Sequence, residues 1–360
     1  MGNPSPEMSD KNLQLRAAAR SDDGFFSTFV LRKISRLFTS ALVETRIKPN
    51  TITVISVMFG FLAAYIASQG KYLISGITFL FSLVLDCVDG EVARYKKEFS
   101  KLGAWLDALS DRVKEYAYVA GLIYSATDES NWWLGIAVVV LQTTRHLSDY
   151  NFVRLQNLYE GERVLQSRSG LLYWLKKIIH LPIGERWLLL ALLPLFLSIT
   201  NVLMVTLYLG IISFSYVVLG RIRRFSRWQS KNVDGQFLIG QRDTWLPIRI
   251  SASRISWSIP SILRLFEFGA LLIIPLEISN SSRFLLVTSI ALWHYANLYD
   301  ALQDRNPTLG RTGLRISGRV GLVLLAYLLG VDNQIATLLA IYLLVLILIR
   351  GGHNVRKEAA

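Results

Sequence analysis

The chain has 360 residues, 52% of them hydrophobic, with a mean hydropathy of +0.37. That is more apolar than a soluble globular domain sustains and calls for several membrane spans. The formal net charge of +13 comes from cations beside apolar runs rather than on a separate polar domain, which argues against a nucleic-acid binder and for basic loops on one side of a membrane. Cys87 is the single cysteine, so an intrachain disulfide framework is excluded.

Residues 1–23 are polar, lack the apolar segment of a cleaved signal peptide, and read as a flexible tail. Over 25–43, Phe25, Phe29, Val30, Ile34, Leu37 and Leu42 interleave with Arg32, Lys33 and Arg36, the pattern of an amphipathic helix in the headgroup plane or of a helix packed on a membrane domain. Lys48-Pro49-Asn50-Thr51 then opens the first apolar run, with Asn50 or Thr51 placed to cap the helix. Runs at 52–67, 72–92, 104–124, 132–147, 187–199 and 202–219 predict six spans. The loop at Gly70 is short, the loop at 127–131 is acidic and that at Thr200 is minimal. Cations gather instead before Thr51 and at 94–101, 163–186 and 221–254. Alternate loops are therefore basic, which puts the N-terminus and the 94–101 loop on the cytoplasmic side.

Past a basic linker at 221–257, runs at 258–278, 284–299, 320–331 and 335–349 predict four further spans in a C-terminal module, 258–360, and leave the C-terminal end cytoplasmic as well. The third of these is short for a bilayer. Trp293-His294-Tyr295-Ala296-Asn297-Leu298-Tyr299 reads as an aromatic interface belt, and His180, His294 and His353 as structural. The fold expected is an all-α polytopic membrane helical bundle, a six-helix domain over 24–220 followed by the C-terminal module.

Four carboxylates stand out against this background. Asp86 and Asp89 fall near the end of the second run, and Asp107 and Asp111 one helical turn apart in the third. An Asp at mid-bilayer costs about 2.5 to 3.5 kcal/mol, so intramembrane acids call for a functional reading. Asp86 with Asp89 or Gly90 and Ala93 share one helix face, and Gly103, Asp107 and Asp111 form an i, i+4, i+8 stripe on the next. The small residues Gly90, Ala93, Gly103, Ala104 and Ala108 suit a close seam between the two helices. Converging carboxylates repel in low dielectric unless cations intervene. Two divalent ions would balance the four charges, and hard oxygen ligands with no Cys or His in register select Mg2+ or Mn2+, with Ca2+ also compatible. Such ions suit displacement at phosphorus. Arg94 adds a fork of donors for a phosphate, and Gly90 leaves room for a ligand against the backbone.

Asp86, Asp89, Gly90, Ala93, Arg94, Gly103, Asp107 and Asp111 match without substitution the D-x2-D-G-x2-A-R-x8-G-x3-D-x3-D signature, and the chain is identified by it as resembling the CDP-alcohol phosphotransferases. The resemblance implies that Asp86, Asp89, Asp107 and Asp111 bind two divalent metals and that Asp111 is also the general base on the acceptor hydroxyl; the alternative is that these acids pair with Arg94, Arg112 and Lys114 in a buried ion network. It further implies that Gly90, Ala93, Arg94 and Gly103 lie at the nucleotide, that CMP leaves a CDP-linked donor, and that the protein is a homodimer in a bacterial or archaeal cytoplasmic membrane. The Pro49-Asn50-x-x-Thr53 segment is similar to one near the nucleotide in this family, which adds Asn50. Asp23-Gly24-Phe25-Phe26-Ser27 resembles the branch that makes inositol phosphodiesters from CDP-inositol and inositol phosphate, favouring a polyol phosphate acceptor over other alcohols, with CDP-diacylglycerol as the other donor class. The second half vaguely resembles a C-terminal module of unassigned role in some bacterial members.

Arg145 and Asp149, on one face near the end of the fourth span, and Arg186, at the start of the fifth, are candidate acceptor-binding residues or mutually neutralised charges. The competing function is a non-enzymatic transporter whose intramembrane acids bind ions, which requires neither Arg94 nor the fixed spacing.

Overall fold

The computed structural model describes residues 14–15, 24–160, 170–228, 256–302 and 312–359. Most of the tail expected at 1–23 and of the linker expected at 221–257 lies outside them, as does Arg163. The described residues form twelve α-helices and no strand: α1 Arg32–Leu42, α2 Pro49–Ser68, α3 Tyr72–Lys96, α4 Lys101–Tyr124, α5 Asn131–Glu160, α6 Leu171–Ile179, α7 Ile183–Leu192, α8 Ile199–Phe225, α9 Ile259–Ile273, α10 Asn280–Leu302, α11 Arg315–Leu328 and α12 Asp332–Ala359. Each of the ten predicted runs contains an α-helix, although the fifth is broken after Leu192 and the helix of the seventh ends at Ile273. Among the described residues α2, α3, α8 and α12 are long and apolar enough to cross a membrane, and the pair Leu171–Ile179 and Ile183–Leu195, bent by 67°, makes a fifth candidate. The protein is an all-α polytopic integral membrane protein. The third run, α4, fails the same criterion because Asp107, Asp111, Arg112, Lys114 and Glu115 interrupt it, and α11, with 14 residues, is about 21 Å long.

Two compact units divide the chain: Met1–Thr127 with Gly170–Val202, and Asp128–Ser169 with Leu203–Ala360. In the first, α2 is the central element. It packs extensively on both α3 and α4, whereas the two aspartate-bearing helices make little direct contact with each other. This corrects the expected seam of Gly90, Ala93, Gly103, Ala104 and Ala108. The small residues that permit close approach lie on α2, where Ser56, Gly60, Ala63, Ala64 and Ala67 are buried, and on α4, where a Cβ at Gly121 would strike the Ala64 carbonyl. The start of α2 differs from expectation too. Lys48 is the N-cap and Pro49 the first helical residue, and no side chain caps the end.

A π-helical turn, Ser27–Leu31, leads into α1. Ser27, Arg32, Ser35 and Thr39 are buried while Phe25, Phe29, Ile34, Leu37 and Phe38 are exposed. The helix is therefore docked on the protein by its polar stripe, which is the packed reading of 25–43, and its apolar stripe is left exposed. The inward stripe closes on Glu91 of α3, which accepts from Arg32 Nη1 at 2.8 Å, Ser35 Oγ at 2.9 Å and Thr39 Oγ1 at 2.6 Å.

The segment read as a basic loop at 163–186 contains α6, a helix with no buried residue. Its Trp174 meets Phe25 and Phe29 edge-on, with ring centroids 5.7 and 5.0 Å apart. The fifth run is not one straight helix, because α7 gives way at Pro194 to a short 3-10 turn.

In the second unit, Trp293, His294, Tyr295, Ala296 and Leu298 are all buried. The expected aromatic belt is instead a core seam of α10. His294 Nε2 lies 2.7 Å from Glu267 of α9, whose other oxygen accepts from Arg319 of α11 at 2.6 Å. Tyr295 reaches His146 Nδ1 of α5 at 2.9 Å, Tyr299 reaches Tyr150 at 2.8 Å, and Arg350 of α12 pairs with Asp300. Hydrogen bonds of this kind hold helices together where lipid supplies no hydrophobic drive.

Candidate metal centre

Helix α3 carries Asp86 and Asp89 one turn apart and stops at Lys97, which adopts a left-handed conformation with φ 56°. Ser100 then caps α4, its Oγ accepting from Gly103 N at 2.8 Å. The tight turn sets the stripe of α4 opposite that of α3. One ligand atom each from Asp86, Asp89 and Asp107 lie within 4.8 Å of one another, all hard oxygens, at a separation that suits a shared divalent cation. Asp111 is outside that triplet. Its Oδ1 is buried and accepts no hydrogen bond, with Lys114 Nζ at 3.6 Å.

Side chains outside the aspartate signature orient these acids. From α2, Ser56 Oγ donates to Asp86 Oδ1 at 2.7 Å and Thr53 Oγ1 donates to Asp89 Oδ2. From α4, the Lys114 ammonium pairs with Asp86 Oδ2 and donates to Ser56 Oγ at 2.9 Å. Their signal in sequence was faint but present: Thr53, Ser56 and Gly60 follow a 3, 4 spacing within an otherwise apolar run.

Two of the remaining signature positions, Gly90 and Gly103, are sites of close approach. A Cβ at Gly90 would stand 3.1 Å from Arg94 Nη1, so the guanidinium lies over the glycine. A Cβ at Gly103 would stand 2.8 Å from Asn50 Oδ1, which brings Asn50 to the start of α4. The Ala93 carbonyl accepts from Glu98 N in the last turn of α3.

The three acceptor candidates part company. Arg186 is buried in the first unit and engages Glu115 through Nε and, at 2.9 Å, through Nη2, while Arg112 donates to the same carboxylate at 2.9 Å. Arg145 and Asp149 belong to the second unit, where Arg145 Nε lies 3.9 Å from Asp149 Oδ2 and Arg221 pairs with Asp149 and Ser148.

Comparison with known proteins agrees with this geometry. A model of the CDP-alcohol phosphatidyltransferase family matches residues 46–219. The chain is 32% identical over 132 residues to a bifunctional IPC transferase and DIPP synthase of Thermococcus kodakarensis, covering 36% of this chain and 30% of that protein. It is 36% identical over 113 residues to the protein of the same description in Archaeoglobus fulgidus, covering 31% of this chain and 23% of that one. With the phosphatidylinositol phosphate synthase of Mycobacteroides abscessus the identity is 29% over 133 residues, 35% of this chain and 59% of the relative. The matched region thus spans less than a third of the length of the first two of these relatives. The signature, the convergence of its acids and the family match agree on one assignment: the chain carries, at residues 46–219, a domain of the CDP-alcohol phosphatidyltransferase family.

Proposed function

We propose that the protein is a membrane-embedded, metal-dependent CDP-alcohol phosphotransferase that moves a substituted phosphate from a CDP-linked donor to an alcohol and releases CMP. The observation that carries this reading is the meeting of Asp86, Asp89 and Asp107 from two successive helices within 4.8 Å. Oxygen-only ligands favour Mg2+ or Mn2+, and an ion bound there supplies charge neutralisation at the phosphorus undergoing displacement.

The chain's own groups perform the remaining work. Arg94, beside Gly90, grips the diphosphate of the donor, and Asn50, Gly103 and Ala93 line the nucleotide. The Asp111 carboxylate takes the proton of the acceptor hydroxyl as that oxygen forms its bond to the donor's distal phosphorus. The bond from that phosphorus to the CMP oxygen breaks, and CMP departs with the electron pair. Thr53 and Ser56 hold the carboxylates of Asp89 and Asp86 in the rotamers the centre requires. Arg186 is a positioning residue through Glu115, and the acceptor-binding reading of Arg145 and Asp149 rests on their sequence positions alone.

The acceptor is a polyol phosphate of the inositol phosphate class, a reading supported by relatives described as a phosphatidylinositol phosphate synthase and as bifunctional IPC transferases and DIPP synthases. The basic loops favour a site on the cytoplasmic side, where CDP-linked donors are made, and the family resemblance favours a homodimer. The test is CMP release by the full chain in detergent with Mg2+, offered CDP-diacylglycerol or CDP-inositol and a panel of polyol phosphates. Acceptor-dependent CMP release establishes the reaction. Absence of CMP with every pair, in protein that binds Mn2+, would return the chain to the transporter reading.

A further inference from the structure

The resemblance implies two divalent ions, yet Asp111 lies outside the triplet of acids whose ligand atoms meet within 4.8 Å, and the place between it and Asp86 is taken. Lys114 is fully buried, and its ammonium is bound by Asp86 Oδ2 and Ser56 Oγ while standing 3.6 Å from Asp111 Oδ1. It thus lies between the two carboxylates that a second ion would bridge. The stem has a channel of its own. A Cβ at Gly60 would collide with Lys114 Cγ and Cδ, so this α2 glycine is what lets the chain of methylenes pass, and the ammonium sits 5.3 Å from the centre of the Trp187 ring. A side chain enclosed in this way has no exposed surface toward which to swing, and a divalent ion set between Asp86 and Asp111 would meet an ammonium at close range in a low dielectric.

We propose that Lys114 is the second cation of this centre, so that the protein holds one divalent ion, at Asp86, Asp89 and Asp107, where the family pattern calls for two. The inference rests on the reading of those three acids as a metal site and departs from it only in the count. Asp111, relieved of ligand duty, is left to receive the acceptor's proton, and Lys114 serves as a positioning residue that keeps one oxygen of Asp86 turned away from the ion.

The test counts metal without reference to turnover. Full-length protein in detergent is stripped with chelator, equilibrated with Mn2+, desalted, and examined by elemental analysis and electron paramagnetic resonance. The expected result is one Mn2+ per chain with the six-line spectrum of an isolated ion, lost in Asp107→Asn and retained in Asp111→Asn. Lys114→Met, which keeps the stem and removes the charge, should take up a second ion and show an exchange-coupled spectrum. Two coupled ions in the wild-type protein would overturn the proposal whether or not the methionine variant folds. No bound ion at all would overturn the metal reading itself, and this proposal with it.

Discussion

Glu91 lies inside the signature at a position that the pattern leaves unspecified, and it gathers three donors from α1. In Glu91→Ala the Arg32 guanidinium, 6% exposed, loses its counter-charge inside the fold. Breaking a buried ion pair on one side destabilises by about 3 to 5 kcal/mol. Because α1 joins the rest of its unit mainly through this seam on α3, the loss should appear as local opening of α1 rather than global unfolding. A change of about 4 kcal/mol corresponds to an open population raised about a thousandfold. Hydrogen exchange measured by mass spectrometry in nanodiscs reads this directly, as faster exchange across Arg32–Leu42 with α2 unchanged. The paired replacement Arg32→Met with Glu91→Leu removes both charges and should restore most of the protection, since an apolar pair of similar volume often substitutes for a buried ion pair without loss. Exchange in α1 altered by less than tenfold in Glu91→Ala would refute the claim that this carboxylate holds the helix.

Three further outcomes follow from the same geometry. Asp111→Asn should leave folding and CDP binding nearly intact and abolish turnover, because the amide is isosteric but accepts no proton; full activity in that variant removes Asp111 from the chemistry. Arg145→Ala should raise the acceptor KM more than the donor KM, and an unchanged acceptor KM takes Arg145 out of the pocket. In the second unit, Glu267→Leu strands Arg319, which has no exposed surface, and should lower stability by about 3 to 5 kcal/mol in detergent-denaturant titrations; a shift under 1 kcal/mol would mean that Arg319 finds another partner.

How much was legible in advance differs from residue to residue. Asp86, Asp89 and Asp107 announced themselves because charge inside an apolar run is costly and therefore conspicuous, and helical periodicity was enough to put them on facing stripes. Asn50 was picked out by its segment and not by its role: the structure sets it against Gly103 rather than at a helix cap. Ser56 and Glu91 passed unremarked, since a hydroxyl in a span is common and a carboxylate beside Arg94 reads as one more interfacial charge. The run Trp293 to Tyr299 misled for the opposite reason. Aromatic and polar groups mixed at a helix end suit an interface belt and a buried polar seam equally well, and only the neighbours supplied by α5, α9, α11 and α12 decide between them.

From its sequence alone the chain could be known as a helical membrane protein with an acidic signature, because hydropathy and residue spacing are local properties that fix element type, length and face. Tertiary structure decided the rest: that α2 packs on both acid-bearing helices, that α1 docks polar side inward on Glu91, that Asp111 falls outside the triplet of acids whose ligand atoms meet, and that Lys114 fills the space between it and Asp86. Each of these depends on which side chains from distant segments arrive at the same point. In a bilayer that choice is made by close packing at small residues and by pairing of buried charges, and the spacing of such residues along one helix does not name the helix that meets them.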